Sequence, residues 1–190
     1  MLKKQLTKLI ECGTDEAGRG SLAGPVTAAA VIFPMEYYCS ELNDSKKISE
    51  KKREILRSKI IKNAIDYSVY HISVEMIDAL NILKASILAM NKAIEKLKIK
   101  PEFILVDGKF FETNMKIPYQ CIIKGDATYL SIAAASIMAK TSRDRYMRNL
   151  SKKFPFYQWD KNKGYPTLQH KEAIKNHGKT IHHRKSFKMD

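Results

Sequence analysis

Long apolar runs are missing from this 190-residue chain. No stretch approaches the roughly 20 consecutive apolar residues that cross a bilayer, which argues against a membrane-spanning helix. The first ten residues, MLKKQLTKLI, carry charge but no continuous apolar core, so no secretory signal is expected. Cysteine is scarce: Cys12, Cys39 and Cys121 are odd in number, scattered, and without a CxxC pair. That spacing argues against a zinc cluster or a disulfide framework, and a reduced, cytoplasmic compartment is the expectation. Internal repeats and low-complexity linkers are absent as well. Acidic residues are in deficit, 20 Asp and Glu against 34 Lys and Arg, for a net charge of +14.

That charge is unevenly placed. From Lys140 onward there are 14 Lys and Arg against 4 Asp and Glu, a net of +10, so the first 139 residues carry only +4. A concentrated basic surface points to a polyanion, nucleic acid first. A lysine-rich background, which makes proteins of many functions basic, is the plainer alternative. The length and the 44% apolar content suffice for one domain with a buried core.

Hydrophobic patterning orders the chain as β-β-α-β-α-β-β-α-α. Lys8 to Thr14 runs into an acidic, glycine-rich stretch, and Gly24 to Phe33 reads as a second strand. Ser49 is a candidate N-cap for a helix through about Lys62, with Ile55, Leu56 and Ile60 on one face. Ile65 to Ser73 alternates as a third strand. Val74 to Leu97 has helical spacing in Ile77, Leu80, Leu83, Ile87, Ile94 and Leu97, with Asn81 as a candidate break. Phe103 to Val106 and Tyr119 to Lys124 are short strands. Thr128 to Leu150 is a long helix, apolar in its first half and basic, hence exposed, in its second. A short helix over Gln169–Asn176 ends at Gly178. The strand–helix–strand order predicts an α/β fold, a mixed central sheet flanked by helices. Residues 1–150 form the main domain and 151–190 a small helical and loop region packed on it.

Chemistry concentrates in acids at element ends. Asp15 and Glu16 sit in Gly13-Thr14-Asp15-Glu16-Ala17-Gly18-Arg19-Gly20, Asp107 follows Leu105-Val106, and Asp126 precedes the long helix. Carboxylates suit hard cations such as Mg²⁺, and open α/β sheets carry their sites beyond strand ends. Each acid also has an ordinary reading: a turn closing a strand for Asp15 and Glu16, turn chemistry for Asp107-Gly108, an N-cap for Asp126. Neighbours on a strand point to opposite faces. If Asp15 and Glu16 share one metal cluster, the backbone is therefore expected to leave strand geometry there, which Gly18 and Gly20 make easy. Downstream, Lys46 precedes a helix, Lys140 and Arg143 share a helix face as a candidate phosphate row, and Tyr165 sits in a Gly/Pro loop where it could stack on a sugar or base. A solvated basic face and a tyrosine covering a core edge are the alternatives.

Taken in register, these segments resemble the ribonuclease HII family, the type 2 ribonuclease H of bacteria. The likeness runs through Asp15-Glu16-Ala17-Gly18-Arg19-Gly20, Gly24-Pro25-Val26, Asp44-Ser45-Lys46-Lys47, Val106-Asp107-Gly108, Lys124-Gly125-Asp126, Ser131 to Lys140 with Arg143-Asp144, Gly164-Tyr165, and His183-Arg184-Lys185-Ser186-Phe187. The resemblance implies a ribonuclease H-like fold with a small C-terminal helical region. It implies Asp15, Glu16, Asp107 and Asp126 as catalytic acids that bind two Mg²⁺ or Mn²⁺ ions. It implies that Gly18, Arg19 and Gly20 read the ribose 2′-hydroxyl at an RNA–DNA junction, with Tyr165 stacking under the following deoxyribose; the basic residues Lys46, Lys140 and Arg143 are expected to contact substrate beside them. The activity implied is endonucleolytic cleavage of the RNA strand of RNA–DNA hybrids and of single ribonucleotides in duplex DNA, leaving 5′-phosphate and 3′-hydroxyl ends, as in ribonucleotide excision repair. A monomer is expected. Pro166 stands where many members have glycine, which predicts a stiffer tyrosine loop. A basic hybrid-binding module with structural acids, and a nuclease of the same fold acting on DNA alone, remain the alternatives.

Overall fold

A computed structural model describes residues 1–42, 45 and 48–188. Five strands form one sheet in the order β3-β2-β1-β4-β5: β1 (Glu11–Ala17), β2 (Val26–Ile32), β3 (Asp66–Ile72), β4 (Phe103–Asp107) and β5 (Tyr119–Ile122). The first three run antiparallel, β4 lies parallel to β1, and β5 lies parallel to β4. The helices are α1 (Glu50–Asn63), α2 (Val74–Leu80), α3 (Ile82–Glu95), α4 (Leu130–Ser151), α5 (Trp159–Asn162) and α6 (Leu168–His177). This is the mixed α/β sheet expected from the sequence.

The two-residue period of β2 sorts its side chains onto two cores. Val26, Ala28, Ala30 and Ile32 face α3, whereas Ala29 and Val31 face α4 and α1. Small residues bring the layers close. A Cβ on Gly13 of β1 would lie 2.3 Å from the backbone carbon of Ser131, so only glycine lets the start of α4 rest on β1. That contact sets where Ser136 and Lys140, further along α4, meet the end of β1. On α1, Leu56 and Ile60 are fully buried, each contributing about 1.5–3 kcal/mol of transfer free energy.

Several expectations need correction. Ile55 is exposed, because α1 touches the core through only one narrow stripe. The break offered at Asn81 is real, by contrast: the 74–97 segment is two helices, Asn81 has φ of 70°, and its Oδ1 accepts from Leu83 N (3.0 Å) and Lys84 N (3.1 Å) to cap α3. The buried face of α3 is Ala85, Ala89, Met90, Ala93 and Ile94, while Leu83 is exposed; the small residues, not the leucines, fit against the sheet. The second half of α4 is not solvated throughout. Arg143, Asp144, Met147 and Leu150 are buried because the C-terminal region covers them, with Met147 and Leu150 in one cluster with Leu22, Tyr157, Trp159 and Ile174. The aromatic loop after α4 contains a 3-10 turn (Pro155–Tyr157) and α5.

Candidate active site

β1 keeps strand geometry through its two acids, with Asp15 opposite Ala29 and Glu16 opposite Ala28 on β2. The expected departure from the strand does not occur. It is unnecessary because the pairing of β1 with β4 stops at Thr14 and Val106, so the end of β1 has β2 on one side and a cleft on the other. Asp107 ends β4 beside this gap. Asp15 looks toward Ser136 of α4, Glu16 also borders a recess lined by Leu83 and Met90 of α3, and Asp107 lines both spaces. Opposite faces of the strand thus open into one cleft that wraps round the end of the sheet. Its main cavity, about 290 Å³, is completed by Gly18, Arg19, Gly20, Lys140 and Tyr165.

The acids destabilise one another's charge. Burial raises the pKa of Asp15 well above the usual carboxylate range, and Glu16 and Asp107 raise it further. Glu16 is raised first by burial and then by Asp107, against the opposing pull of Arg19, whose Nη1 lies 3.3 Å from Glu16 Oε1. Asp107 Oδ1 accepts from Gly125 N at 2.7 Å and Asp126 N at 3.4 Å. These bonds come from a 3-10 turn (Gly125–Ala127) that carries buried Asp126. Asp15, Glu16 and Asp107 therefore share the cavity, while Asp126 is joined to it through its backbone and is not among the residues lining it.

Among the described residues, no three His, Cys, Asp or Glu side chains are disposed to hold a metal ion as they stand. Asp107 is engaged by the 125–126 backbone and Glu16 by Arg19. The donor set nonetheless fits a hard divalent cation. It consists of carboxylate oxygens whose burial and mutual repulsion a cation would relieve.

The remaining candidates divide. Lys140 Nζ bonds Asp144 Oδ1 at 2.8 Å and lies 5.3 Å from the Tyr165 ring centroid, on the cavity wall. Tyr165 is half-buried beneath it. Arg143 is a correction: it is fully buried, and its guanidinium donates to Pro25 O (2.9 Å), Lys163 O (2.8 Å) and Ala23 O (3.0 Å). It ties loops together and does not face a substrate. Arg145 and Arg148, on the same helix, pair with Glu54 and Glu50 of α1. Lys46 lies outside the described residues.

Sequence reasoning missed the role of Arg184. It is 1% exposed, and it donates to the carbonyls of Gly18 (2.7 Å), Arg19 (2.8 Å) and Gly24 (2.9 and 3.1 Å). Burial, with Arg143 nearby, lowers its pKa to about 9. A peptide N–H points opposite to its C=O. With the Gly18 and Arg19 carbonyls held inward, the N–H groups of Arg19 and Gly20 face the other way. Among the described residues, neither has a bonded partner. The sequence placed Arg184 within the His183–Phe187 segment of the resemblance but assigned it no role, and charge alone suggests an exposed residue.

A family model described as Ribonuclease HII matches residues 12–190. The chain belongs to the ribonuclease HII family. It is 56% identical over 189 residues to "Ribonuclease HII" of Christiangramia forsetii, covering 100% of this chain and 96% of that one. It is 56% identical over 183 residues to "Ribonuclease HII" of Parabacteroides distasonis, covering 96% and 92%. Its fold superposes on the crystal structure of the ribonuclease H2 from Pyrococcus horikoshii with a TM-score of 0.79 at 27% identity, covering 94% of each chain. Ribonuclease HII enzymes are hydrolases, and the activity of this chain is that of a ribonuclease H endonuclease. No helix among the described residues is long and apolar enough to cross a membrane.

Proposed function

We propose that this chain is a divalent-metal-dependent endonuclease that cuts the RNA strand of RNA–DNA hybrids and single ribonucleotides embedded in duplex DNA, on the 5′ side of the ribonucleotide. The observation that carries the reading is the gathering of Asp15, Glu16 and Asp107 at two neighbouring strand ends, in the same cleft as the Gly18-Arg19-Gly20 loop.

Asp15, Glu16, Asp107 and Asp126 are the residues that would hold the metal. When bound, a pair of Mg²⁺ or Mn²⁺ ions supplies the Lewis acidity that activates water and stabilises a leaving oxygen. The Arg19 and Gly20 N–H groups, aimed outward by Arg184, are donors for a ribose 2′-hydroxyl, the group that separates RNA from DNA at one nucleotide. Tyr165 offers a ring face for the following deoxyribose, and Lys140 a positive charge beside it for a phosphate. Water attack with loss of the 3′ oxygen leaves 5′-phosphate and 3′-hydroxyl ends, with no covalent enzyme intermediate. The protein is proposed to act in the cytoplasm as a monomer, on nucleic acid containing ribonucleotides.

The test is a labelled DNA duplex carrying one ribonucleotide, incubated with Mg²⁺ or Mn²⁺. Wild type should cut once, 5′ to the ribonucleotide, and Asp107→Asn should lose at least about a hundredfold in kcat. Cleavage that persists in chelator, undiminished cleavage by Asp107→Asn, or equal cutting of an all-DNA duplex would refute the reading.

A further inference from the structure

Two buried histidines outside the cleft form a chain of hydrogen bonds that ends on the backbone of Tyr165. His170 of α6 and His183 of the C-terminal tail are 0% and 1% exposed. Trp159 Nε1 donates to His170 Nε2 at 2.9 Å. An indole N–H can only donate, so His170 Nε2 is an acceptor and the proton of the neutral ring is on Nδ1. That Nδ1 lies 2.9 Å from Tyr165 O and therefore donates to it. His183 is fixed by the same logic. Thr180 N donates to His183 Nδ1 at 2.9 Å, which leaves the proton on Nε2, and Nε2 sits 3.3 Å from His170 Nε2. His170 Nε2 thus shares its one lone pair between the Trp159 N–H at 2.9 Å and the longer His183 N–H contact at 3.3 Å, and the chain runs from Thr180 through His183 and His170 to Tyr165.

The tail that carries His183 also holds the loop on the other side of the cleft. His182 O accepts from Gly24 N at 2.9 Å, and Arg184 binds the Gly18 and Arg19 carbonyls. The two elements proposed to read the junction, the 18–20 loop and Tyr165, are thus registered by three consecutive tail residues. Gly164 ties them again: its carbonyl accepts from Leu22 N (2.8 Å) and Ala23 N (3.3 Å). Gly164 has φ of 80°, and a Cβ there would lie 2.5 Å from Ala23 O.

We propose that His170 and His183 are positioning residues that set the height of Tyr165 against the Gly18–Gly20 loop, and so set the preference for an RNA–DNA junction. The inference rests on the reading of Tyr165 given above. Neither histidine touches the cleft, and both act through the Tyr165 backbone.

The readout is junction preference: kcat/KM on a duplex with one ribonucleotide divided by kcat/KM on a uniform RNA–DNA hybrid. Tyr165→Ala should lower it. His170→Phe, which removes the donor to Tyr165 O, should lower it by about tenfold, the effect of one buried hydrogen bond. His170→Asn keeps an N–H near the Nδ1 position and should retain most of the preference. His183→Asn keeps an acceptor for Thr180 N but withdraws Nε2–H, and should give an intermediate loss even if His170→Phe does not fold. The decisive comparison is the double variant Tyr165→Ala/His170→Phe, which should match Tyr165→Ala alone within about twofold. Loss of preference in Tyr165→Ala with unchanged preference in folded His170→Phe and His183→Asn would overturn the inference, as would additive losses in the double variant. Unchanged preference in Tyr165→Ala would instead overturn the reading of Tyr165, and the inference with it.

Discussion

Gly18 and Gly20 flank the same arginine, yet they should fail in different ways when replaced by alanine. Gly18 has φ of 95°, a conformation that costs an L-residue about 1–2 kcal/mol. An added Cβ would also lie 2.0 Å from Arg143 Nε and 2.5 Å from its Cδ. Arg143 cannot yield cheaply, because it is fully buried and bonded to three carbonyls. Displacing it forfeits at least one charged hydrogen bond, about 1.5–3 kcal/mol. The two costs together come to roughly 2.5–5 kcal/mol, or a fall in Tm of roughly 5–20 °C for a chain of this size. Gly20 has no positive φ and no atom within 4 Å of its added Cβ. Gly20→Ala should therefore change stability by less than about 0.5 kcal/mol. If substrate approaches the loop as proposed, the new methyl should still lower kcat/KM by about tenfold or more through crowding at the ribose. Circular dichroism melts in chelator, paired with cleavage of the single-ribonucleotide duplex, measure both. A Gly18→Ala protein that melts within about 2 °C of the parent, or a Gly20→Ala protein that loses as much stability as Gly18→Ala, would refute the packing argument.

Four further outcomes follow from the same geometry. Asp15→Asn should raise Tm in chelator at neutral pH, because it removes a buried charge repelled by Glu16 and Asp107; saturating Mg²⁺ should stabilise the parent by about 2–3 kcal/mol at a hundredfold excess over Kd and the variant much less, and a lower Tm of Asp15→Asn in chelator would count against the repulsion. His183 has its pKa lowered to about 4 by burial, so the unfolded chain binds this proton first; its contribution to stability, on the order of 1–2 kcal/mol, should be complete above pH about 6.5 and fade toward pH about 4, with His183→Asn flattening that stretch of the pH–stability curve. Arg184→Lys should cost about 3 kcal/mol or more, since one ammonium cannot reach three separate carbonyls, and near-parental melting would show that the guanidinium is dispensable. Hybrid binding should weaken with salt with a log–log slope of about −3 to −6, shallower than the tail's net charge suggests, because Arg143 and Arg184 are buried and Arg145 and Arg148 are paired; titration in increasing KCl would read it, and a salt-independent Kd would remove the basic surface from the account.

Much of this molecule was legible in one dimension because its signals are local. A β-branched apolar run marks β2, alternation marks β3, a serine cap starts α1, an asparagine splits α2 from α3, and the acids fall at the ends of apolar runs. The resemblance carried by the in-register motifs named the right family before any fold was available. Burial of the second half of α4 was not legible, because basic residues at helical spacing look the same whether they meet water or carbonyl groups. Arg143 and Arg184 were misjudged or missed for that reason: their partners are backbone oxygens, most of them more than a hundred residues away, and backbone leaves no mark in a sequence pattern.

The sequence by itself determined which residues could do chemistry: four carboxylates at element ends, a glycine-flanked arginine and a tyrosine between Gly164 and Pro166. Only the tertiary structure decided how they meet. Pairing of β1 with β4 stops at Thr14, and that single feature of register lets two neighbouring acids on opposite faces of a strand open into one cleft without a break in the backbone. The tail then turns the loop's carbonyls inward and its N–H groups outward. Strand register and the direction of a peptide dipole depend on contacts between distant segments, so they come into being only when the chain folds.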